Sequence, residues 1–142
     1  MKFKMCGGFL DSDLFESLST RLPTNIEILG HVGRADLLEI YQNSLMLINT
    51  SDYEGFPLTF DEAWSCSLPV VSLNVNPGGL VSRLGLGLIS NNIDQMALDI
   101  KLLHEDKHLH RAIGSRARQY VLKTRNISKT TALLESYLYS FD

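Results

Sequence analysis

Short apolar runs alternate with amphipathic stretches along most of the chain. The runs predict strands at Phe3–Cys6, Ile26–Leu29, Leu45–Asn49, Pro69–Leu73 and Gly87–Ser90. Apolar residues at helical spacing predict helices at Asp13–Leu22, Ala35–Asn43, Pro57–Ser65, Gly78–Leu84, Ile93–His104, Lys107–Thr124 and Ser128–Phe141. Strands that alternate with helices favour an α/β fold, a Rossmann-like doubly wound parallel sheet of about five strands with a C-terminal helical tail.

Leu45–Asn49 is a continuous apolar run, which predicts a strand that is buried on both faces of the sheet. Ligands of doubly wound sheets bind beyond the carboxyl ends of the strands. That rule points to four segments as candidate binding regions: Gly7-Gly8, His31–Arg34, Ser51–Phe56 and Asn74–Gly79. The third of these, the loop that follows Leu45–Asn49, carries the strongest chemical pattern.

That loop runs from Ser51 to Pro57 and enters the helix predicted at Pro57–Ser65. Proline suits the first helical position, because the N–H that it lacks would have no partner inside the helix. The N–H groups of Leu58 and Thr59 then point back toward the loop, and a helix N-terminus of this kind favours anions. Gly55 would let the backbone approach a ligand closely.

Two glutamates flank this anion pocket, Glu54 in the loop and Glu62 on the helix. A carboxylate can accept hydrogen bonds from two neighbouring ribose hydroxyls, and a second carboxylate could contact a sugar on the far side of a diphosphate. Taken alone, the two acids leave another interpretation open. Glu62 and Asp61 could complement the helix dipole, and Glu54 could be a solvated loop residue.

Composition narrows the choice of partners. The chain has 142 residues, of which 44% are apolar and 20% charged, so we expect one folded domain over residues 1–142. A net charge of −3 disfavours nucleic acid, whose binding depends on phosphate neutralisation. Cys6 and Cys66 form no metal-binding or disulfide pattern and are expected to be reduced and buried. No segment resembles a signal peptide or a membrane span, so a cytoplasmic location is expected.

The stretch from Ser51 to Val71 resembles the signature of the retaining GT-B glycosyltransferases of family GT4. That signature has a serine, a Glu-Gly-Phe turn, a Glu-Ala pair, a helix end of small residues and Pro-Val-Val. The two glutamates of its E-x7-E motif fall on Glu54 and Glu62. The resemblance also covers Met5–Gly8, Ile28–Val32, Asp36–Tyr41, Asn76–Gly79 and Gly85–Ile89.

The resemblance implies that the chain is the C-terminal, donor-binding domain of a glycosyltransferase. Glu54 would be the catalytic-site acid that lies against the donor sugar, and Glu62 would hold the ribose. The other donor-binding residues that the resemblance implies are Gly7, Gly8, His31, Val32, Gly55, Phe56, Leu58 and Thr59. The substrate would be a nucleotide diphosphate sugar, a UDP- or GDP-sugar, bound with neither a metal ion nor a cofactor.

The chain departs from the family pattern in several ways. Pro57 stands where the family often has glycine. The family's first strand, with a Gly-Arg turn and a Lys-Gly pair that neutralise the diphosphate, has no counterpart before Met1. The N-terminal acceptor domain is also missing. We therefore expect a chain that binds the donor but does not transfer the sugar to a hydroxyl acceptor by itself.

The missing strand also predicts a structural rearrangement. In the resembling family it lies beside the strand equivalent to Leu45–Asn49, so its loss would leave unpaired strand edges, which are costly when buried. We expect Phe3–Cys6 to pair directly with Leu45–Asn49, or a second chain to fill the gap as in a dimer.

Several alternatives stay open on the sequence. The chain could be a fragment of a sugar-nucleotide epimerase of related architecture, or a non-catalytic doubly wound module that regulates or binds a partner. The basic tail is expected to be a solvated helix face, although peripheral contact with an anionic membrane is an alternative. Trp64 is expected to pack in the core, and His104 and His108 to be surface residues rather than metal ligands.

Overall fold

The computed structural model describes residues 1–8, 16, 21–125 and 127–138. The chain forms two compact units, Met1–Gln42 and Asn43–Asp142, and each is described by itself. Both combine parallel strands with helices, which is the predicted α/β class. The helix predicted at Asp13–Leu22 falls mainly on residues outside the described ranges.

The first unit contains two strands and a helix. Strand β1 (Phe3–Cys6) pairs in parallel with β2 (Ile26–Gly30), and helix α1 (Arg34–Gln42) follows. These bounds agree with the predicted strands to within one residue. The prediction that Cys6 is buried is wrong: this residue is exposed, because β1 pairs with a single neighbour in the described residues and most of its side chains face solvent.

The second unit contains a three-stranded parallel sheet. Its strands are β3 (Leu47–Asn49), β4 (Val70–Ser72) and β5 (Gly87–Ile89), in the order β3-β4-β5. Every residue of β4 is fully buried, whereas β3 is half-buried. The prediction that Leu45–Asn49 is the strand buried on both faces is therefore wrong in the described residues. That place belongs to β4, because β4 is hydrogen-bonded to a strand on each side.

All five predicted strands are present, and each recorded pairing is parallel. The sheet of the first unit has two of these strands, and the sheet of the second unit has three. β1 pairs with β2 in the first unit and β3 pairs with β4 in the second. Direct pairing of Phe3–Cys6 with Leu45–Asn49, which would join the two units, stays a prediction. The apolar runs report how many strands exist but not which strand edges meet. Completion of a strand edge by a second chain stays a prediction.

Helices connect and follow the strands of the second unit. They are α2 (Leu58–Ser65), a 3-10 turn (Pro77–Gly79), α3 (Leu80–Leu84), α4 (Ile93–Glu105), α5 (Lys107–Thr124) and α6 (Ile127–Leu138). Val71 of β4 packs with Met96 and Leu103 of α4 and with Ile113 of α5 in one buried cluster. No helix in the described ranges has both the length and the apolar character needed to cross a membrane.

Helix α2 is held against the sheet by its aromatic face. Phe60 and Trp64 are fully buried and meet edge to face with ring centroids 5.6 Å apart. The Trp64 indole N–H donates to the carbonyl oxygen of Leu86 at 3.0 Å, so its polar atom is satisfied inside the core. Trp64 is a packing residue, as predicted. This anchoring fixes the position of the N-terminus of α2, where the candidate site lies.

Candidate functional site

The loop after β3 delivers a helix N-terminus to the carboxyl end of the sheet. Pro57 is buried and has an extended backbone, with φ −72° and ψ 116°, so it precedes α2, and the prediction that it begins the helix is off by one residue. The Phe60 N–H donates to the carbonyl oxygen of Pro57 at 3.0 Å. In the described part of the chain, the N–H groups of Leu58 and Thr59 have no hydrogen-bond acceptor. Both therefore remain able to bind an anion.

Glu54 is half-buried and is held by a chain of hydrogen bonds. The Asn49 side-chain N–H donates to Glu54 Oε1 at 2.7 Å. The Ser72 hydroxyl donates to Asn49 Oδ1 at 3.3 Å and accepts the Val75 N–H at 3.1 Å. Ser72 is fully buried, so the chain of bonds ends inside the sheet. The position of Glu54 is thus set by the last residues of two neighbouring strands.

Asn49 and Ser72 were not identified from the sequence. Each is a polar residue at the final position of an otherwise apolar strand, and that pattern is the signal that could have revealed them. A buried polar side chain needs a hydrogen-bond partner, and at the carboxyl end of a parallel strand the nearest partners are the residues of the binding loops.

Arg125, at the end of α5, contacts both the loop that precedes α2 and α2 itself. Its guanidinium carbon lies 4.7 Å from the centroid of the Phe56 ring, and its Nε donates to Asp61 Oδ2 at 2.8 Å. Burial raises the pKa of the Asp61 carboxyl, and the charge and hydrogen bond of Arg125 oppose that rise. Arg125 is exposed, as predicted for the basic tail, but its side chain also contacts the loop and α2. Its partners are 64 and 69 residues earlier in the chain and could not be read from the local sequence.

The remaining predicted residues of the second unit are open to solvent. Gly55 is exposed, and a Cβ placed on it would meet no atom within 4 Å. Glu62 is exposed one turn into α2, and its backbone carbonyl accepts the Ser65 hydroxyl at 2.6 Å. The second unit therefore brings Glu54, Gly55, Phe56, Leu58, Thr59 and Glu62 together in one loop and one helix start.

The other four predicted residues lie in the first unit. The Gly7 N–H donates to the carbonyl oxygen of Gly30 at 2.8 Å, which places the turn after β1 beside the turn after β2. Gly8 and His31 are exposed there, and Val32 is half-buried. Gly7 has φ +135°, a backbone conformation that favours glycine. These residues thus share the carboxyl end of the two-stranded sheet.

Histidines and acids do not gather into a metal site in the described ranges, where no group of three or more histidine, cysteine, aspartate or glutamate side chains could hold an ion. His104 and His108 are exposed on α4 and α5, as expected for surface residues. His110 contacts the carbonyl oxygen of Leu45 at 2.6 Å through Nε2.

Comparison with protein-family models matches residues 1–120 to the family described as glycosyl transferases group 1. Among curated proteins, the O-antigen chain mannosyltransferase B of Escherichia coli is 37% identical over 76 residues, which are 53% of this chain and 20% of that protein. The mannosylfructose-phosphate synthase of Agrobacterium fabrum is 28% identical over 124 residues, which are 84% of this chain and 26% of that protein. The chain therefore spans about a quarter or less of the curated relatives that it matches.

The fold of the chain is also similar to the folds of solved structures. A mutant of S. aureus TarM, in complex with fondaparinux, alpha-GlcNAc-glycerol and UDP, superposes with a TM-score of 0.76 and 25% identity over 100% of this chain and 29% of that one. Anabaena HepE in complex with UDP-glucose superposes with a TM-score of 0.77 and 21% identity over 98% of this chain and 41% of that one.

Proposed function

The chain belongs to the glycosyl transferases group 1 family, and on that premise we propose that it is the donor-binding half of a retaining glycosyltransferase of family GT4. The observation that carries the proposal is the turn from Glu54 to Thr59. It places a positioned carboxylate next to a helix N-terminus whose first N–H groups have no acceptor in the described residues. A diphosphate flanked by two sugars has the charge and the hydroxyl groups that fit such a site.

Each group has a role in the proposal. The N–H groups of Leu58 and Thr59 and the dipole of α2 bind the diphosphate and stabilise the negative charge that grows on it as the sugar departs. Glu54 contacts the donor sugar, and Glu62 accepts hydrogen bonds from the ribose hydroxyls. Gly55 and Phe56 add backbone N–H groups to the site. The roles that the resemblance implies for Gly7, Gly8, His31 and Val32, in the first unit, stay predictions.

The donor is proposed to be a UDP- or GDP-sugar. HepE and TarM support the uridine nucleotide, since they are described in complex with UDP-glucose and UDP. Transfer also needs an acceptor site, and this chain covers 29% to 41% of those structures. We therefore propose that an N-terminal domain supplies the acceptor site and that this chain binds donor without transferring sugar by itself.

Calorimetric titration with UDP and with GDP tests the proposal. The chain should bind one of them, and Glu62→Ala should weaken that binding about 10- to 100-fold, because charged hydrogen bonds to two ribose hydroxyls are lost. Glu105→Ala is the matched control: Glu105 is also an exposed helical glutamate, and its partner is Lys101 on the same helix, so affinity should not change.

Two outcomes contradict the proposal in different ways. A parent chain that binds neither nucleotide would favour the alternative of a non-catalytic module. If the Glu62→Ala variant binds UDP or GDP as tightly as the parent chain does, Glu62 does not hold the ribose. Donor binding by the chain would still be supported.

A further inference from the structure

The hydrogen bonds around Glu54 have a fixed direction. A carboxylate only accepts hydrogen bonds, so the Asn49 atom 2.7 Å from Glu54 Oε1 must be the side-chain N–H group. The Asn49 oxygen then faces Ser72, whose hydroxyl must donate to it at 3.3 Å. The Ser72 oxygen accepts the backbone N–H of Val75, which only donates. Turning the Asn49 amide around would break its bonds to Glu54 and Ser72 together.

The far end of this chain of bonds is rigid. Ser72 is the last residue of β4, the fully buried central strand of its sheet. The backbone of Asn49 is fixed as well, because its carbonyl oxygen accepts the Leu73 N–H at 2.8 Å. Asn49 therefore joins a loop carboxylate to the sheet through backbone and side chain together. In the described residues, Glu54 Oε2 has no hydrogen-bond partner, so one carboxylate oxygen is held and the other is available.

We infer that Asn49 is the positioning residue of Glu54: with Ser72 behind it, it holds Oε1 so that Oε2 is presented to a hydroxyl group of the donor sugar. The inference rests on the proposed function, since it assigns an orientation to the acid that the proposal places against that sugar. It goes further by naming Asn49 and Ser72 as the residues that discriminate the sugar nucleotide from the bare nucleotide.

A neighbouring pair offers a matched comparison. Asn74, two residues after β4, donates through its side-chain N–H to Asp52 Oδ1 at 3.1 Å. This pair has the same chemistry as Asn49 and Glu54, and its carboxylate lies in the same loop, which follows β3. Both of its residues are exposed, however, and no buried hydroxyl stands behind Asn74 in the described ranges. A substitution of Asn74 by aspartate therefore controls for the general effect of adding a carboxylate at this edge of the sheet.

The test measures binding of two ligands to each variant of the full chain. Affinities for UDP and UDP-glucose, and for GDP and GDP-mannose, are measured by calorimetry for the parent, Asn49→Asp and Asn74→Asp. Asn49→Asp keeps the size of the side chain but sets two carboxylates against each other, which turns Glu54 away. We expect affinity for the sugar nucleotide to fall at least about tenfold while affinity for the matching nucleotide changes less than about twofold. Asn74→Asp should change neither.

Two further variants protect the test against a folding defect in Asn49→Asp. Asn49→Ser is too short to reach Glu54, and Ser72→Ala leaves Asn49 and Glu54 in place but removes the hydroxyl that orients the amide. Both should show the same loss for the sugar nucleotide, smaller for Ser72→Ala. Thermal unfolding of each variant identifies those that are folded at the titration temperature.

The outcomes separate the two proposals. A parent that binds no nucleotide overturns the proposed function and this inference with it. If the parent binds, equal losses for nucleotide and sugar nucleotide in the folded Asn49 variants would show a structural role alone and overturn the inference. Unchanged affinity for the sugar nucleotide would overturn it as well.

Discussion

Asp61, in the first turn of α2, is subject to two opposing influences. Burial raises the pKa of its carboxyl above the ordinary value of 3.8, while the neighbouring Arg125 favours the charged form. Oδ2 bonds to Arg125, and Oδ1 is buried with no hydrogen-bond partner in the described residues. The raised pKa means that the desolvation of the carboxylate outweighs the ion pair.

The raised pKa has a consequence for stability as pH falls. A group whose pKa is higher in the folded state binds protons more tightly there, so protonation stabilises the fold relative to the unfolded chain. This gain starts as pH drops through the raised pKa and is complete below the unfolded value near 3.8. The melting temperature of the parent minus that of Asp61→Asn should therefore rise between pH 7 and pH 3.5. Other carboxylates titrate in both proteins and cancel in this difference, and a difference that stays flat or falls would contradict the prediction.

The residues of the candidate site divide by how far apart their partners lie in the sequence. Glu54, Leu58 and Glu62 belong to one loop and the helix that follows, so a local motif could reveal them. Asn49 is oriented by Ser72, 23 residues later, and Asp61 is paired with Arg125, 64 residues later. Nothing in the local pattern at either position specifies its partner, because parallel strands and a distant helix bring these residues together only in the folded chain.

At the scale of elements, α5 approaches the turn that follows α2 closely at Gly114. A Cβ added to Gly114 would lie 2.2 Å from the carbonyl oxygen of Ser67 and 3.7 Å from the ring of Pro69. Ser67 itself has φ +62°, in the left-handed region where this turn leaves the helix. The close approach is to backbone, which cannot move aside as a flexible side chain would.

Gly114→Ala should therefore destabilise the protein. Alanine is favoured over glycine inside a helix by about 1 kcal/mol, but overpacking against a fixed carbonyl costs typically about 1–3 kcal/mol, so the net effect is a loss. Ser115→Ala, at the next and exposed position, is the control and should stabilise slightly through helix propensity. Urea unfolding measures both changes. A more stable Gly114→Ala variant would show that α5 can move away from Ser67.

The elements were predictable to different degrees. Strand and helix positions followed from apolar spacing to within one or two residues, as at β1, β2 and α5, because that spacing reflects which side chains meet the core. The order of strand edges did not follow, since β3 and β4 carry similar apolar runs although one is half-buried and the other fully buried. Burial depends on how many neighbours a strand has, and that is set by long-range pairing.

At the scale of the whole molecule, the two units differ in how many apolar side chains they bury in the described residues. In the described residues, Tyr41 is the one buried apolar side chain of the first unit, whereas the second unit has a core that includes Phe60, Trp64 and Leu103. Unfolding free energy is distributed unevenly when burial is uneven. The backbone amides of the second unit should therefore be the better protected.

Hydrogen exchange followed by mass spectrometry tests this difference. Peptides that cover Val70–Ser72 should exchange slowest, and peptides that cover Phe3–Cys6 should exchange faster, because β4 is fully buried and β1 is mostly exposed. Repeating the measurement at several protein concentrations is the control for the predicted second chain. Protection of β1 that falls on dilution would indicate that another copy completes its edge. Equal protection of β1 and β4 at every concentration would contradict the prediction, because it would require a cover for β1 from within the same chain.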